Sequence, residues 1–432
     1  MGTRDTLFGI FGNATRKTTI AIALGIALAG ACGLSTLTAQ GTPQSASAQK
    51  QRQQEAHIGD VLATALPLAK LSSALTTTAI DTAVRKVGNW QLDTSERYFT
   101  RDWTFAALYT GILEAGRTLP DARFQTAMLR VGNKFDWQLQ PMPPEDDDPS
   151  DFHVVGQTYL DLYRIYHQKK MMMPTREAFD AMMKVPDVAG KPVWWWCDAM
   201  FMGPPTWARL YRATGNRTYL DYMDREFWIT NKLLYRPQEH LYSRDATYRN
   251  ARSKNGQLIF WSRGNGWVMA GIARTLDAMP TDYPTRPRYV ALFKGMASRI
   301  ASLQGADGLW RTDLLDPAAY PSAEISGSAF YVYALAWGIN RGILDRATYL
   351  PVVKKGWQGL LAHVYQDGRL GSIQAVGAAP EVVPPTSSYV YGVGAFLLAG
   401  SELHRLAENS ANRKSAALSD SHRREEPLLH RQ

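Results

Sequence analysis

The 432-residue chain holds only two cysteines, Cys32 and Cys197. Two thiols build neither a disulfide framework nor a thiolate zinc site, which excludes small cross-linked scaffolds and zinc ribbons. Glycine (34) and proline (23) stand at ordinary levels, so collagen-like and low-complexity readings fail. The most hydrophobic stretch, Thr18 to Ala31, is shorter than the ~20 residues a membrane-spanning helix needs. Lys and Arg exceed Asp and Glu by 48 to 39, yet the basic residues are scattered outside the pair Arg423 and Arg424. No nucleic-acid partner is therefore expected, since such proteins usually gather positive charge on one face. The formal +9 suits an anionic partner such as an acidic polysaccharide. There is no Gly-x-Ser-x-Gly elbow, P-loop, His-Glu-x-x-His or dinucleotide fingerprint, and no metal or other cofactor is expected. What is present is a composition 45% hydrophobic and 11% aromatic, ample for a large core.

Arg16 and Lys17 precede the apolar stretch, and Ala29-Gly30-Ala31 follows as a small-residue cleavage site. This is the layout of a secretory signal peptide over residues 1–31. Leu28-Ala29-Gly30-Ala31-Cys32 also resembles a lipoprotein signal with Cys32 as the acylated residue. The chain is thus expected to be exported, periplasmic or lipid-anchored at Cys32. Residues 32–75, rich in Gln, Ser and Ala from Gly41 to Glu55, read as linker and lead-in.

Beyond them helical periodicity dominates and strand-like alternation is scarce. Six segments share a small or aromatic start and an apolar run, beginning at Trp103, Gly156, Pro204, Gly266, Ser328 and Gly392. Between them lie amphipathic stretches at about 76–92, 122–138, 175–185, 217–234, 286–304 and 346–364. Gly215 punctuates one helix and Asn216 opens the next. Helices apolar all round belong inside and amphipathic ones outside. The pattern predicts an all-α fold, an (α/α)6 barrel of six helical hairpins over residues 76–408, followed by a polar, disordered tail over 409–432. An open solenoid is the alternative, but it normally needs polar caps. In a closed ring, loops opening the inner helices converge on a central pit.

Chemistry is therefore sought at those helix starts. Trp194-Trp195-Trp196-Cys197-Asp198 sets a carboxylate after three indoles. Indole faces stack on sugar rings, and a carboxylate beside them loses solvation, which raises its pKa towards general-acid values. A capping aspartate in an aromatic core is the plain alternative. In Trp261-Ser262-Arg263-Gly264-Asn265-Gly266-Trp267 an arginine fork that fits carboxylates stands between glycines that permit close approach. Asp151 and His153, before the second inner helix, are candidates for positioning water or hydroxyls, although Asp151 suits a helix cap equally well. His240 is placed to reach the pit from a loop or to serve that loop structurally. The run Glu145 to Asp148 reads as a solvated acidic loop rather than a metal site, because it lacks calcium-loop spacing. Cys197 reads as packing.

Taken together, the Trp-Trp-Trp-Cys-Asp segment, Trp261 to Trp267, Leu210-Tyr211, Gly215-Asn216, Tyr219-Leu220 and Ser326-Gly327-Ser328 resemble glycoside hydrolase family 105. The resemblance to these unsaturated rhamnogalacturonyl hydrolases runs from Ile80 to Arg405. It implies an (α/α)6 barrel that removes a 4,5-unsaturated uronic acid from lyase-generated oligosaccharides, with rhamnogalacturonan or pectin as the default source. By resemblance Asp198 is the acid/base that protonates C4, and Asp151 is the supporting carboxylate. Phe152 stands where the family often has a second aspartate. Trp196, His240, Trp261, Arg263 and Trp267 fall on pit-lining positions, Arg263 facing the uronate. Two other readings remain: a polysaccharide lyase on the same barrel, and a non-catalytic glycan-binding surface lipoprotein.

Overall fold

The computed structural model describes residues 64–142, 148–186 and 192–425, with side chains up to residue 412. The expected signal peptide, Cys32 and most of the expected linker lie outside the described residues.

Among the described residues, twelve helices make the fold: α1 (Thr77–Ser95), α2 (Trp103–Thr118), α3 (Ala122–Lys134), α4 (Gly156–Tyr166), α5 (Met173–Met182), α6 (Pro204–Thr214), α7 (Arg217–Leu234), α8 (Ser262–Ala278), α9 (Arg286–Ser302), α10 (Ile325–Asn340), α11 (Arg346–Leu361) and α12 (Val390–Glu425). Their starts are written locally. The side chains of Thr76, Asp102, Asp121, Asn216, Glu324 and Asp345 each accept a backbone N–H of the first turn they cap. Gly215 closes α6 at φ 71°, where a side chain would be strained. A short hairpin, β1 (Tyr235–Arg236) with β2 (Leu241–Tyr242), is antiparallel.

Burial separates the helices into two layers. In α10 every residue from Ile325 to Ile339 is buried, and in α8 every residue from Ser262 to Leu276. In α7 only one face is buried, through Tyr219, Leu220, Tyr222, Met223, Glu226, Phe227, Thr230 and Leu234. The even-numbered helices pack on one another in sequence, and α12 returns to pack on α2, so the inner layer is a closed ring. Closure demands close backbone approach: a Cβ at Gly111 of α2 would stand 2.2 Å from the carbonyl oxygen of Gly394 in α12. An (α/α)6 barrel is the result, as the periodicity predicts. Its pairing has one twist. Outer helices α3, α7, α9 and α11 pack on the inner helix that precedes each of them, while α1 packs on the last inner helix, α12.

The lead-in does more than link. Ala69 donates to the carbonyl of Val364, and Arg369 reaches the carbonyl of Thr64, so residues 64–69 pair with the α11–α12 loop. At the other end α12 continues to Glu425, past residue 408, where polarity alone predicts a disordered tail. No Gly or Pro interrupts residues 401–425, so nothing local stops the helix.

The inner ring is tied by buried charge. Asp161 of α4 accepts from Arg209 of α6 at 2.9 Å and faces Arg274 of α8 at 3.7 Å. Arg405 of α12 bridges Glu114 of α2 and Glu402 of α12, both at 2.6 Å, and Asn340 of α10 donates to Glu402. Removing one member of a buried pair strands its partner. Arg209→Met is therefore expected to lower unfolding free energy by ~3 kcal/mol in urea titrations, with the helical spectrum unchanged below the transition.

Candidate active site

Asp198 sits at the mouth of a short helical turn, Ala199–Met202, that precedes α6. That turn lies tight against α8, since a Cβ at Gly271 would meet the carbonyl oxygen of Met200 at 2.1 Å. Gln157 of α4 holds it from the other side, donating to the Phe201 carbonyl at 2.8 Å. A second short turn, Ser150–His153, which carries Asp151, packs on it. Asp148 caps that turn through Ser150 and also accepts the backbone N–H of Trp195 at 3.4 Å.

The three tryptophans take two roles. Trp194 is fully buried, its carbonyl accepting from Thr230 at 2.6 Å. Trp195 and Trp196 are half-buried and stacked on each other, centroids 5.5 Å apart and planes 22° from parallel. They are the indoles with surface to offer a sugar ring.

Asp198 is 5% exposed, and burial raises its carboxyl from 3.8 to about 6. A hydrogen bond from Cys197 and the nearby charges of Arg263 and Arg244 oppose that rise. Such a group is a protonated acid in mildly acidic water and a base just above.

Arg263 is 1% exposed and lies between the rings of Trp261 and Tyr391. Its fork donates to the carbonyls of Gln374, Ala375 and Gly377 and to the Tyr391 hydroxyl. The residue thus braces the 374–377 loop on α8 and leaves little of its fork for a ligand carboxylate. Trp261 joins the brace, its indole N–H donating to Gln374 at 2.9 Å. Trp267 is fully buried against Phe201 and Phe330, with Trp103 edge-on, and forms the floor rather than a wall.

Two expected residues lie elsewhere. The ring of His153 packs on Phe179 of outer helix α5 at 5.0 Å, and desolvation lowers its imidazole to about 4, so it is neutral at pH 7. His240 does not join the site. It is exposed at the β1–β2 tip with φ 52°, Nδ1 2.8 Å from the Tyr235 hydroxyl and beside Gly295 of outer helix α9. The hairpin turns its tip outward, which a loop of unknown shape could not reveal.

The same hairpin delivers a residue not singled out from the sequence. The chain leaving β2 bridges Trp196 at Asp245, and the backbone N–H of Cys197 donates to the Arg244 carbonyl at 2.7 Å. Arg244 is therefore held beside Asp198. It is half-buried, pairs with Asp245 and lies over the Tyr248 ring; its buried Nε, like that of Arg263, has no acceptor among the described residues. The signal was present in Ser243-Arg244-Asp245, overlooked beside His240. The brace partners Gln374 and Tyr391 carried no motif. Among the described residues, no group of three or more His, Cys, Asp or Glu could hold a metal ion.

The sequence model of Glycosyl Hydrolase Family 88 matches residues 76–407. The chain belongs to this family. The motif resemblance pointed to the neighbouring family 105. An unsaturated 3S-rhamnoglycuronyl hydrolase of Formosa agariphila is 40% identical over 71% of this chain and 85% of its own length. A protein of the same name from an Alteromonas species is 34% identical over 70% of this chain and 77% of its own length. Two solved structures are each 30% identical. One is a glycosyl hydrolase family 88 protein from Bacteroides vulgatus (TM-score 0.72, covering 76% of this chain and 99% of its own). The other bears the name Polysaccharide Lyase BACCELL_00875 (TM-score 0.73, covering 77% and 98%). Like this family 88 chain, they are built on the same barrel.

A raised carboxyl changes stability with pH in a defined direction. The folded state holds the Asp198 proton longer than the unfolded state, so this contribution is full below 3.8 and is lost as pH rises through about 6. Asp198→Asn escapes that loss. It is expected to gain on the wild type by up to ~3 kcal/mol between pH 4 and pH 7.5 in denaturant titrations.

Proposed function

We propose that this family 88 glycosidase removes the 4,5-unsaturated uronic acid from the non-reducing end of lyase-generated oligosaccharides by hydrating the C4=C5 bond, with Asp198 as the acid. The observation that carries the reading is a buried carboxyl raised to about 6 beside two stacked, half-buried indoles, with the Arg244 charge held next to it. An ordinary two-carboxylate displacement is not required. The Asp198 proton passes to C4, and cationic character develops at C5 and the ring oxygen, near the Asp151 carboxylate. The ionised Asp198 then takes a proton from water as the hydroxyl adds at C5. The hemiketal opens, and the aglycone leaves with a proton on its oxygen. Arg244 holds the uronate carboxylate, and Trp195 and Trp196 stack on the ring.

For the aglycone, the names of the two relatives at 40% and 34% identity favour 3S-rhamnoglycuronyl substrates over the pectic rhamnogalacturonan of the motif resemblance. Within family 88 we read the chain as the family 105 type, on the Trp-Trp-Trp-Cys-Asp and Trp-Ser-Arg-Gly-Asn-Gly-Trp segments. The basic, apolar N-terminus supports an exported enzyme acting where polysaccharide lyases release their products.

The test follows the ultraviolet absorbance of the conjugated uronyl group on 3S-rhamnoglycuronyl and on rhamnogalacturonan oligosaccharides. Wild type is expected to abolish it, fastest on the former, and Asp198→Asn to lose at least roughly 10³-fold in rate. Because the acid form is active, kcat/KM should fall as pH rises through about 6. Absorbance that stays constant on every substrate would sink the reading. A rise on intact polysaccharide would favour the lyase reading, which the name of one 30% identical structure keeps in view. Arg244→Gln is expected to raise KM roughly tenfold or more, the worth of a charge-assisted contact, with a smaller change in kcat.

A further inference from the structure

Cys197 takes no part in the steps above, yet it is the nearest donor to the acid. Its thiol donates to Oδ1 of Asp198 at 3.0 Å. It is 1% exposed, and its backbone N–H is fixed to the carbonyl of Arg244. On α8 a Cβ at Gly264 would stand 2.7 Å from the sulfur, so that glycine makes room for the thiol. Sulfur, carboxyl and helix backbone are thus fitted to one another, which packing of a small apolar side chain would not require.

We infer that Cys197 is a positioning residue whose S–H occupies Oδ1 of Asp198, so that the transferable proton of the acid sits on Oδ2. The inference rests on the reading of Asp198 as the acid. In a neutral carboxyl, the oxygen that accepts is the carbonyl and the other carries the hydrogen. A thiol that always donates to one oxygen therefore decides which oxygen delivers. Burial, with Asp198 alongside, holds the Cys197 thiol well above its ordinary value, so it stays protonated. A thiol is also a weak donor. It orients the carboxyl while stabilising the anion less than a hydroxyl would. When C4 is protonated, the O–H bond at Oδ2 breaks and a C–H bond forms. The anion left behind shares its charge with the S–H at Oδ1 until water returns a proton.

Other groups near this pair are the cations Arg263 and Arg244, with Asp245 beside the thiol. The phenols of Tyr242 and Tyr331 lie close enough to feel Cys197. The neighbouring turn carries Asp151 and His153. Substitution at position 197 alters none of these side chains, so a change in the Asp198 titration reports the thiol.

The first of two experiments needs no turnover. The S–H stretching band is followed by infrared spectroscopy across pH, with the spectrum of Cys197→Ser subtracted to remove Cys32. The band is expected to shift with a midpoint near 6, and the shift to vanish in Asp198→Asn. In pH–rate profiles, Cys197→Ala should move the alkaline limb of kcat/KM upward by at least about 0.5 unit and lower kcat several-fold. Cys197→Ser, a stronger donor of similar shape, should restore kcat and move the limb downward. A band indifferent to pH, or a limb unmoved in Cys197→Ala, overturns the inference. A titrating band in a protein that never consumes unsaturated uronides would sink the functional reading while upholding the thiol–carboxyl pairing.

Discussion

The barrel depends on a belt of buried ions and amides between the inner helices, joined to the Ala199–Met202 turn through Gln157 and Arg274. All six inner helices contribute: Glu114, Asp161 with Gln157, Arg209, Arg274, Asn340, and Glu402 with Arg405. Taking such charges out of water is costly, so the belt is poor evidence for stability by itself. What it supplies is register. Each cation meets its carboxylate only at one axial and rotational setting, and a ring of largely featureless apolar helices needs that information. With that register set, the helix starts fall at one level, and aromatic residues close the floor beneath the carboxyl at Asp198.

On the proposed reading, that arrangement lets Asp198 be both buried and reactive. The floor of Trp267, Phe201 and Phe330 removes solvent, and desolvation raises the carboxyl. Arg263 is locked by carbonyls on one side, so its charge is present as a fixed field rather than a mobile ligand. Arg244 is fixed through its backbone and pairs with Asp245, and on the proposed reading it turns to the carboxylate of a bound sugar. On that reading, two arginines near one aspartate divide the work between preorganisation and recognition.

The helices were legible because burial leaves a period in the sequence. The six inner and six outer segments, and the boundary at Gly215-Asn216, all appear in the chain order expected. The burial of Asp198 beside two indoles was legible because three tryptophans precede it with one residue, Cys197, between. The partners of Arg263 were not, since backbone carbonyls at 374–377 have no side-chain signature. His240, open between pit and loop in the sequence, falls on the loop side for a related reason: the direction of the β1–β2 hairpin depends on backbone dihedrals, here a positive φ at the tip, which a histidine does not advertise. The helix beyond residue 408 is illegible for another reason: a polar run suggests disorder, although polarity without helix breakers is equally the mark of a solvated helix.

The packing of α1 on α12 also bears on how the chain comes to fold. His404 meets Asp81 at 2.6 Å, joining the first helix of the ring to the last. Five inner helices can be made in order, each beside its predecessor. The seam has to wait for the C-terminal one. Loop-closure entropy for so distant a contact grows only slowly with length, but the contact cannot exist before the final helix is synthesised. A chain lacking α12 therefore leaves the faces of α1 and α2 that α12 covers without their partner, and the ring closes only with the last helix.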